Sequence, residues 1–381
     1  MTMKTTTRPL NVSKELYLAC QYFLPRLMFW QSEWGDLVLA LKDFPQECND
    51  ISSSEFWQYW MKGWSDLGDL YVAQAETALH HTGQRDLFRS ATNCYHWAEF
   101  MYFADPLHKG KLRQQVKDCF IKSWDANTYP LEMGEMEWNG IQIPYYLLLP
   151  NNTNPNSESF PCVILSNGLD SVTEVEIIAF ARHFLNRGLA VFLFDGPGQG
   201  INLGRYPIPV AFEEVIASVV DNLQSCPQID ANCLGFFGVS YGGYIALRVA
   251  QHLGDCFKAV VNLSGGPYFT PFENMKRRLK DDFQYAFMET NQTAMLNLFE
   301  QLQLNLSDNC QTNVLSIHGE LDDIFPVRGI RELDNRWGAR HQSIIYQQEA
   351  HVCLNLINQY VVTLADWMWT QLTTKNFSLK P

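Results

Sequence analysis

Gly238-Val239-Ser240-Tyr241-Gly242, followed by Gly243, lies between the apolar run Cys233–Gly238 and the helix-forming segment Tyr241–Gln251. A G-x-S-x-G stretch between a strand and a helix has a mechanical reading. The sharp turn forces its serine into a strained backbone conformation, and side chains two residues to either side would collide, so glycine stands at both places. The serine hydroxyl then stands clear of the sheet at the amino end of a helix, whose dipole favours a developing oxyanion. Ser240 is therefore the predicted nucleophile.

A nucleophilic serine needs a base, and the base needs an orienting acid, in the chain order Ser, Asp, His for this kind of turn. After the strand Val314–His318 comes Gly319-Glu320-Leu321-Asp322-Asp323-Ile324-Phe325-Pro326, and after the strand Ser343–Tyr346 comes Glu349-Ala350-His351-Val352. Reactive groups gather at the carboxyl ends of strands in open parallel sheets, and Ser240, the acidic pair and His351 all fall there. His351 is the expected base and Asp322 its orienter, with Asp323 as the rival acid. His318, at the end of its own strand, is expected to be structural. The oxyanion requires N–H donors. One is the amide of Tyr241. The second is expected from Asn167-Gly168-Leu169-Asp170 after the strand Cys162–Ser166, from Leu169 with Gly168 as the alternative. Asn167, Asp170, Tyr268 and Phe269 are expected on the substrate, although Asp170 or Glu174 can instead cap the next helix. Phe194-Asp195-Gly196-Pro197-Gly198-Gln199-Gly200 resembles a phosphate loop but lacks the Gly-Lys-Ser/Thr ending and the G-x-G-x-x-G spacing, so a structural turn is expected there and no cofactor.

Outward from the motif, strands and helices alternate from Tyr129-Pro130 onward. Glu135–Trp138 and Ile141–Leu149, split by Asn139-Gly140, read as a hairpin. Cys162–Ser166, Leu189–Phe194, Cys233–Gly238, Ala259–Leu263, Val314–His318 and Ser343–Tyr346 read as strands. Helices are expected over Thr173–Arg187, Pro209–Gln224, Tyr241–Gln251, Arg328–Trp337 and Leu354–Thr374, with a helical insertion at Phe272–Leu304. The polar Asn151–Ser159 is a surface loop. This grammar predicts a mostly parallel α/β sheet covered on both faces. Residues 1–130 differ: Trp30, Trp34, Trp57, Trp60, Trp64 and Trp97 crowd an otherwise helical segment, and Trp57, Trp60, Met61 and Trp64 follow i, i+3, i+4, i+7. A helical pattern is also read from Tyr71 to Phe103. An all-helical domain over 1–130 and a catalytic domain over 131–381 follow, the aromatics serving as a helical core or sharing in an aromatic pocket.

The chain has 381 residues, 46 % of them hydrophobic and 13 % aromatic, enough to bury a substantial core. Its 28 basic and 41 acidic residues sum to −13, without a clustered basic surface to track phosphates, so nucleic acid is not an expected ligand. No stretch approaches the length of a membrane span, and Met1–Pro9 lacks the apolar core of a signal peptide. The ten cysteines are scattered, with neither C-x-x-C nor H-x-x-x-H spacing. They read as free thiols of a cytoplasmic protein, and no metal site is expected.

The aromatic-rich helical N-terminal domain, N-G-L-D at 167–170, F-D-G-P-G-Q-G at 194–200, G-V-S-Y-G-G at 238–243 and E-A-H-V-C at 349–353 together resemble the FrsA-like α/β-hydrolases. These are the branch with 2,6-dihydroxypseudooxynicotine hydrolase and the polyketide-shortening hydrolases, and the bacterial shortening lyases of anthraquinone formation look nearest. The resemblance implies an α/β-hydrolase fold with an eight-stranded sheet and a lid insertion at about 267–310 that roofs the site with the helical domain. It implies cleavage of a C–C bond next to a ketone, or of an ester, through an acyl-enzyme. A carboxylesterase or thioesterase and a regulatory binding protein on the same scaffold are the alternatives. It further implies a homodimer, no cofactor, and an aromatic or polyketide substrate, free or delivered by an acyl carrier protein.

Overall fold

Short helices α1 (Lys14–Cys20), α2 (Leu24–Phe29) and α3 (Trp34–Leu41) lead into α4 (Ser54–Thr77), α5 (His81–Glu99) and α6 (Pro106–Ser123) in the first of two compact units, Met1–Trp124. The computed structural model describes residues 12–374 except 22–23, 30–31, 46, 152–158 and 307–309. Met1–Pro9, Trp30 and most of the Asn151–Ser159 loop lie outside the described residues. Side-chain caps set the helix starts. The Ser53 hydroxyl accepts the Phe56 amide at 3.1 Å, and Asp105 accepts the amides of Leu107 and His108 ahead of Pro106. The pattern read as continuous from Tyr71 breaks at Ala78, which is extended, and His80 caps α5 by accepting the Thr82 amide at 3.1 Å. The extended Ala78 and the capping histidine interrupt an apolar periodicity that alone looks unbroken. Trp57, Trp60, Trp64 and Trp97 are buried among themselves and Phe56 and Phe100. Trp60 donates its indole N–H to the Trp97 carbonyl at 2.7 Å. These four form the unit's own core, whereas Trp34 is exposed and stacks on Tyr17.

The second unit, Asp125–Pro381, holds the sheet. Asn139 and Gly140 take φ of 49° and 78°, the paired left-handed turn whose twist matches a tight hairpin, and join β1 (Leu131–Trp138) to β2 (Ile141–Leu148). The other strands are β3 (Phe160–Ser166), β4 (Ala190–Phe194), β5 (Ile229–Val239), β6 (Ala259–Leu263), β7 (Asn313–Gly319) and β8 (His341–Tyr346). Their order is β1-β2-β4-β3-β5-β6-β7-β8; β1, β2 and β4 pair antiparallel and all later pairs are parallel. The connecting helices are α7 (Ile178–Leu185), α8 (Glu213–Gln224), α9 (Tyr241–His252), α12 (Arg328–Trp337) and α13 (Ile357–Thr373), with α10 (Arg277–Phe287) and α11 (Gln292–Leu302) inserted between β6 and β7.

Successive strand residues point to opposite faces, so burial of every residue in β4 and β6 requires cover on both. Phe237 meets Phe180 and Phe184 of α7, while its neighbour Phe236 meets Phe257 on the other face. Insertion residues Phe283 and Phe287 of α10 pack edge-on to Tyr241, and Phe299 of α11 packs on Phe269. The predicted helix at Thr173 begins instead as a π-helical turn, Thr173–Ile177, because the Thr173 side chain is committed to the loop before it. All ten cysteines are free thiols. Among the described residues no helix is long and apolar enough to cross a membrane.

Candidate active site

Ser240 sits between β5 and α9 at φ 58° and ψ −115°, a conformation disfavoured for a residue with a side chain. Its amide donates to the Leu263 carbonyl at 2.8 Å and its carbonyl accepts from Tyr244 at 3.0 Å, so the strained turn is tied at both ends. The flanking glycines are steric necessities: a Cβ at Gly238 would overlap the Gly242 carbonyl, and one at Gly242 would strike the Ser166 carbonyl of β3.

The loops after β7 and β8 bring the other two groups to this turn. His351 Nε2 lies 2.8 Å from Ser240 Oγ, and its Nδ1 lies 2.8 Å from Asp322 Oδ2. An ionised carboxylate only accepts, so the proton sits on Nδ1, and Nε2 accepts the Ser240 hydroxyl. Asp322 Oδ1 accepts the amides of Ile324 and Phe325, each at 2.9 Å, which fixes the carboxylate's orientation. The Phe325 ring stacks on His351 at 6.0 Å. Asp323 points away and pairs with Lys276 Nζ at 2.7 Å on the surface, so the acid facing His351 is Asp322. His318 is fully buried and donates from Nε2 to the Phe325 carbonyl at 2.8 Å, bracing the Asp322 loop.

Burial alone would raise the Asp322 carboxyl, but the His351 ring and the Phe325 amide outweigh it and hold the pKa below the ordinary value. Burial likewise pushes His351 down, yet the charge and hydrogen bond of Asp322, with further contributions from Asp170 and Asp323, raise it above its ordinary value. Asp170 thus faces the site electrostatically. The following turn starts at Val172, whose side chain makes no cap, and Glu174 within it accepts the Tyr146 hydroxyl at 2.7 Å.

The amide of Tyr241 is the first of α9, where N–H groups have no intrahelical acceptor. The loop after β3 runs beside it: a Cβ at Gly168 would come to 3.5 Å from that of Ser240. Leu169 turns its side chain into the core. Asn167, expected on the substrate, is fully buried instead and donates to Thr173 Oγ1 at 2.6 Å. Thr173 donates in turn to Asp195 Oδ1 at 2.5 Å, Asp195 Oδ2 accepts the Ile201 amide at 3.0 Å, and Gln199 donates to the Asn167 carbonyl at 3.1 Å. The 194–200 stretch is therefore a turn that braces the loop beside Ser240. Phe269, also expected on the substrate, is a core residue packed on Tyr244 and Phe325 at 4.9 and 4.6 Å. Tyr268 donates its hydroxyl to Glu332 of α12 at 3.0 Å. Sequence reasoning missed the bracing role of Thr173 and Asp195, and also Ser264, whose only signal was its place directly after a buried strand.

This chain matches the model of the FrsA-like esterases over residues 55–281, more than half its length. The chain belongs to the FrsA-like esterase family. Within this family of hydrolases it is 27 % identical over 360 residues to 2,6-dihydropseudooxynicotine hydrolase of Paenarthrobacter nicotinovorans, covering 89 % of this chain and 91 % of that one. It is 31 % identical over 204 residues to 20-hydroxy-prefusarin hydrolase FUS2 of Gibberella moniliformis, covering 50 % of this chain and about half, 48 %, of the relative. The crystal structure of 2,6-dihydroxy-pseudo-oxynicotine hydrolase shares the fold of this FrsA-like esterase, with a TM-score of 0.78 at 24 % identity over 92 % of this chain and 96 % of that one. Residues 210–375 also match the prolyl oligopeptidase family.

Proposed function

We propose that this FrsA-like hydrolase cleaves a carbon–carbon bond next to a ketone in an aromatic or polyketide-derived substrate, as in polyketide chain shortening, through a Ser240–His351–Asp322 triad. The observation that carries the reading is the pair of 2.8 Å hydrogen bonds that line up Ser240 Oγ, His351 and Asp322. Ser240 Oγ attacks the carbonyl carbon as its proton passes to His351 Nε2. The amides of Tyr241 and of Leu169 or Gly168 hold the oxyanion. When the tetrahedral centre collapses, the C–C electron pair leaves as an enolate or phenol-stabilised carbanion, and His351 returns the proton to it. Water, activated by His351, then releases the acid from Ser240.

The likeness to 2,6-dihydropseudooxynicotine hydrolase over most of both chains favours a small organic substrate over a peptide. The esterase description of the family favours a second reading, a carboxylesterase or thioesterase with the same nucleophile. The leaving group separates the two. The first test is intact-mass spectrometry after a fluorophosphonate probe, followed by product analysis on benzoylacetone and on p-nitrophenyl acetate. One adduct lost in Ser240→Ala and His351→Ala, with a carboxylic acid and a ketone formed from benzoylacetone, supports C–C cleavage. Turnover of the ester alone supports the second reading. A wild-type protein that takes no label refutes both.

A further inference from the structure

In the sheet, β6 lies between β5, which carries Ser240, and β7 and β8, which deliver Asp322 and His351. Its carboxyl end therefore stands between the members of the triad. The residue there is Ser264, fully buried and at φ 53°. Its amide donates to the Ile317 carbonyl of β7 at 2.8 Å, and its hydroxyl accepts the amide of Val352 at 3.0 Å. Val352 and Cys353, the two residues after His351, both lie in the left-handed region, at φ 67° and 49°. A β-branched residue rarely adopts that conformation, and such outliers persist only where the surroundings over-determine them. Here the peptide group on the other side of Val352 is also gripped, because Tyr360 of α13 donates its hydroxyl to the Val352 carbonyl at 3.0 Å.

The turn that presents Ser264 is itself braced. Asn262 Oδ1 accepts the Gly265 amide at 2.7 Å, and its Nδ2 donates to the Gly265 carbonyl and to Ser316 Oγ, both at 3.1 Å. Ser316 Oγ lies 2.8 Å from His341 Nε2, and His341 Nδ1 lies 2.8 Å from Asp334. The Asp334 carboxylate puts the proton on Nδ1, so Ser316 donates to Nε2 and accepts from Asn262, with a partner for every group. This second Ser–His–Asp row is no second nucleophile, since Ser316 is fully buried in the sheet. It is a strut across β8, β7 and β6.

We propose that Ser264 and Tyr360 are positioning residues that clamp the peptide groups of Val352 and thereby hold His351 within reach of Ser240. The inference rests on the reading of Ser240 and His351 as nucleophile and base. Its test uses the rate of fluorophosphonate labelling of the folded full-length protein. Ser264→Gly keeps the positive φ without strain and removes the hydroxymethyl group that holds the Val352 amide, and labelling is expected to slow about tenfold. Asparagine tolerates the left-handed region better than valine. In the Ser264→Gly background, Val352→Asn is therefore expected to bring the rate back to within about threefold of Val352→Asn alone. A merely structural serine would lower the unfolding temperature without that rescue. Tyr360→Phe, which keeps the ring in its place, supplies an independent arm with an expected slowing of about threefold. Labelling at the wild-type rate in Ser264→Gly or in Tyr360→Phe overturns the clamp, as does a Ser264→Gly defect that Val352→Asn leaves untouched. Absence of labelling in the wild type refutes the nucleophile assignment instead, and so separates the two failures.

Discussion

Replacing Asp322 with asparagine changes no volume, yet the structure predicts that it reverses the histidine's proton. Oδ1 accepts two backbone amides, from Ile324 and Phe325, and Oδ2 faces His351 Nδ1. In Asp322→Asn the amide oxygen stays on the two N–H donors, because flipping it sets NH2 against both. The NH2 group then faces Nδ1 and donates to it, so the ring proton moves to Nε2. An Nε2–H opposite Ser240 cannot take the hydroxyl proton. Restoring the working tautomer requires the flip, which leaves the part-buried Ile324 amide and the buried Phe325 amide unpaired at about 1–3 kcal/mol each. A total of about 2–6 kcal/mol corresponds to a loss of about 30-fold to 10⁴-fold in rate. The assay is the rate of p-nitrophenyl acetate hydrolysis and of fluorophosphonate labelling at fixed pH, with circular dichroism to establish folding. Asp323→Asn, altering a surface carboxylate paired with Lys276, is expected within about twofold of the wild type, the effect of one screened charge. An Asp322→Asn variant within threefold of the wild type, or an Asp323→Asn variant that loses more, would refute the reasoning.

Labelling of the wild type is expected to rise with pH through a midpoint above 6.5, the ordinary histidine value. The sign follows from the requirement for a neutral ring: neighbouring carboxylates hold the proton on His351 to higher pH, so the acidic limb moves up. Asp170→Asn removes one of these charges and is expected to move that midpoint down; a pH-rate profile that does not move removes Asp170 from the site. Gly238→Ala drives a methyl into the Gly242 carbonyl. Denaturant unfolding is expected to register a loss of about 3 kcal/mol or more, and a stability equal to wild type would mean the turn is looser than described. Tyr241→Phe removes a buried hydroxyl that has no partner among the described residues, within a cage of Tyr244, Phe269, Phe283 and Phe287. A gain of about 1 kcal/mol in unfolding free energy is expected, and a loss would show that the hydroxyl has a partner.

What could be read from the residues alone is what short-range backbone geometry dictates. Asn139-Gly140 specifies its turn by the φ values it tolerates, and the glycines around Ser240 are required by atoms within a few positions along the chain. Uninterrupted apolar runs such as Ala190–Phe194 declare a strand buried on both faces before any partner is known. Even the order Ser, Asp, His follows, since each group sits just past the end of a strand. The choice between Asp322 and Asp323 was beyond such reading, because adjacent carboxylates in one loop differ only in what they face: a histidine from another strand in one case, solvent and Lys276 in the other. The burial of Asn167 and Phe269 away from the substrate escapes the sequence for the same reason. Each lies on a loop after a strand end, but contacts with Thr173 in one case and with Tyr244 and the aromatic insertion in the other decide that their side chains point inward. Ser264 and Val352 carry the point furthest. Nothing in Leu-Ser-Gly or His-Val-Cys announces a left-handed backbone, and only the packing of β6 and α13 around the histidine loop imposes one. Local sequence set the elements and their turns, and tertiary structure alone decided which polar groups met, because a hydrogen bond selects its partner in space.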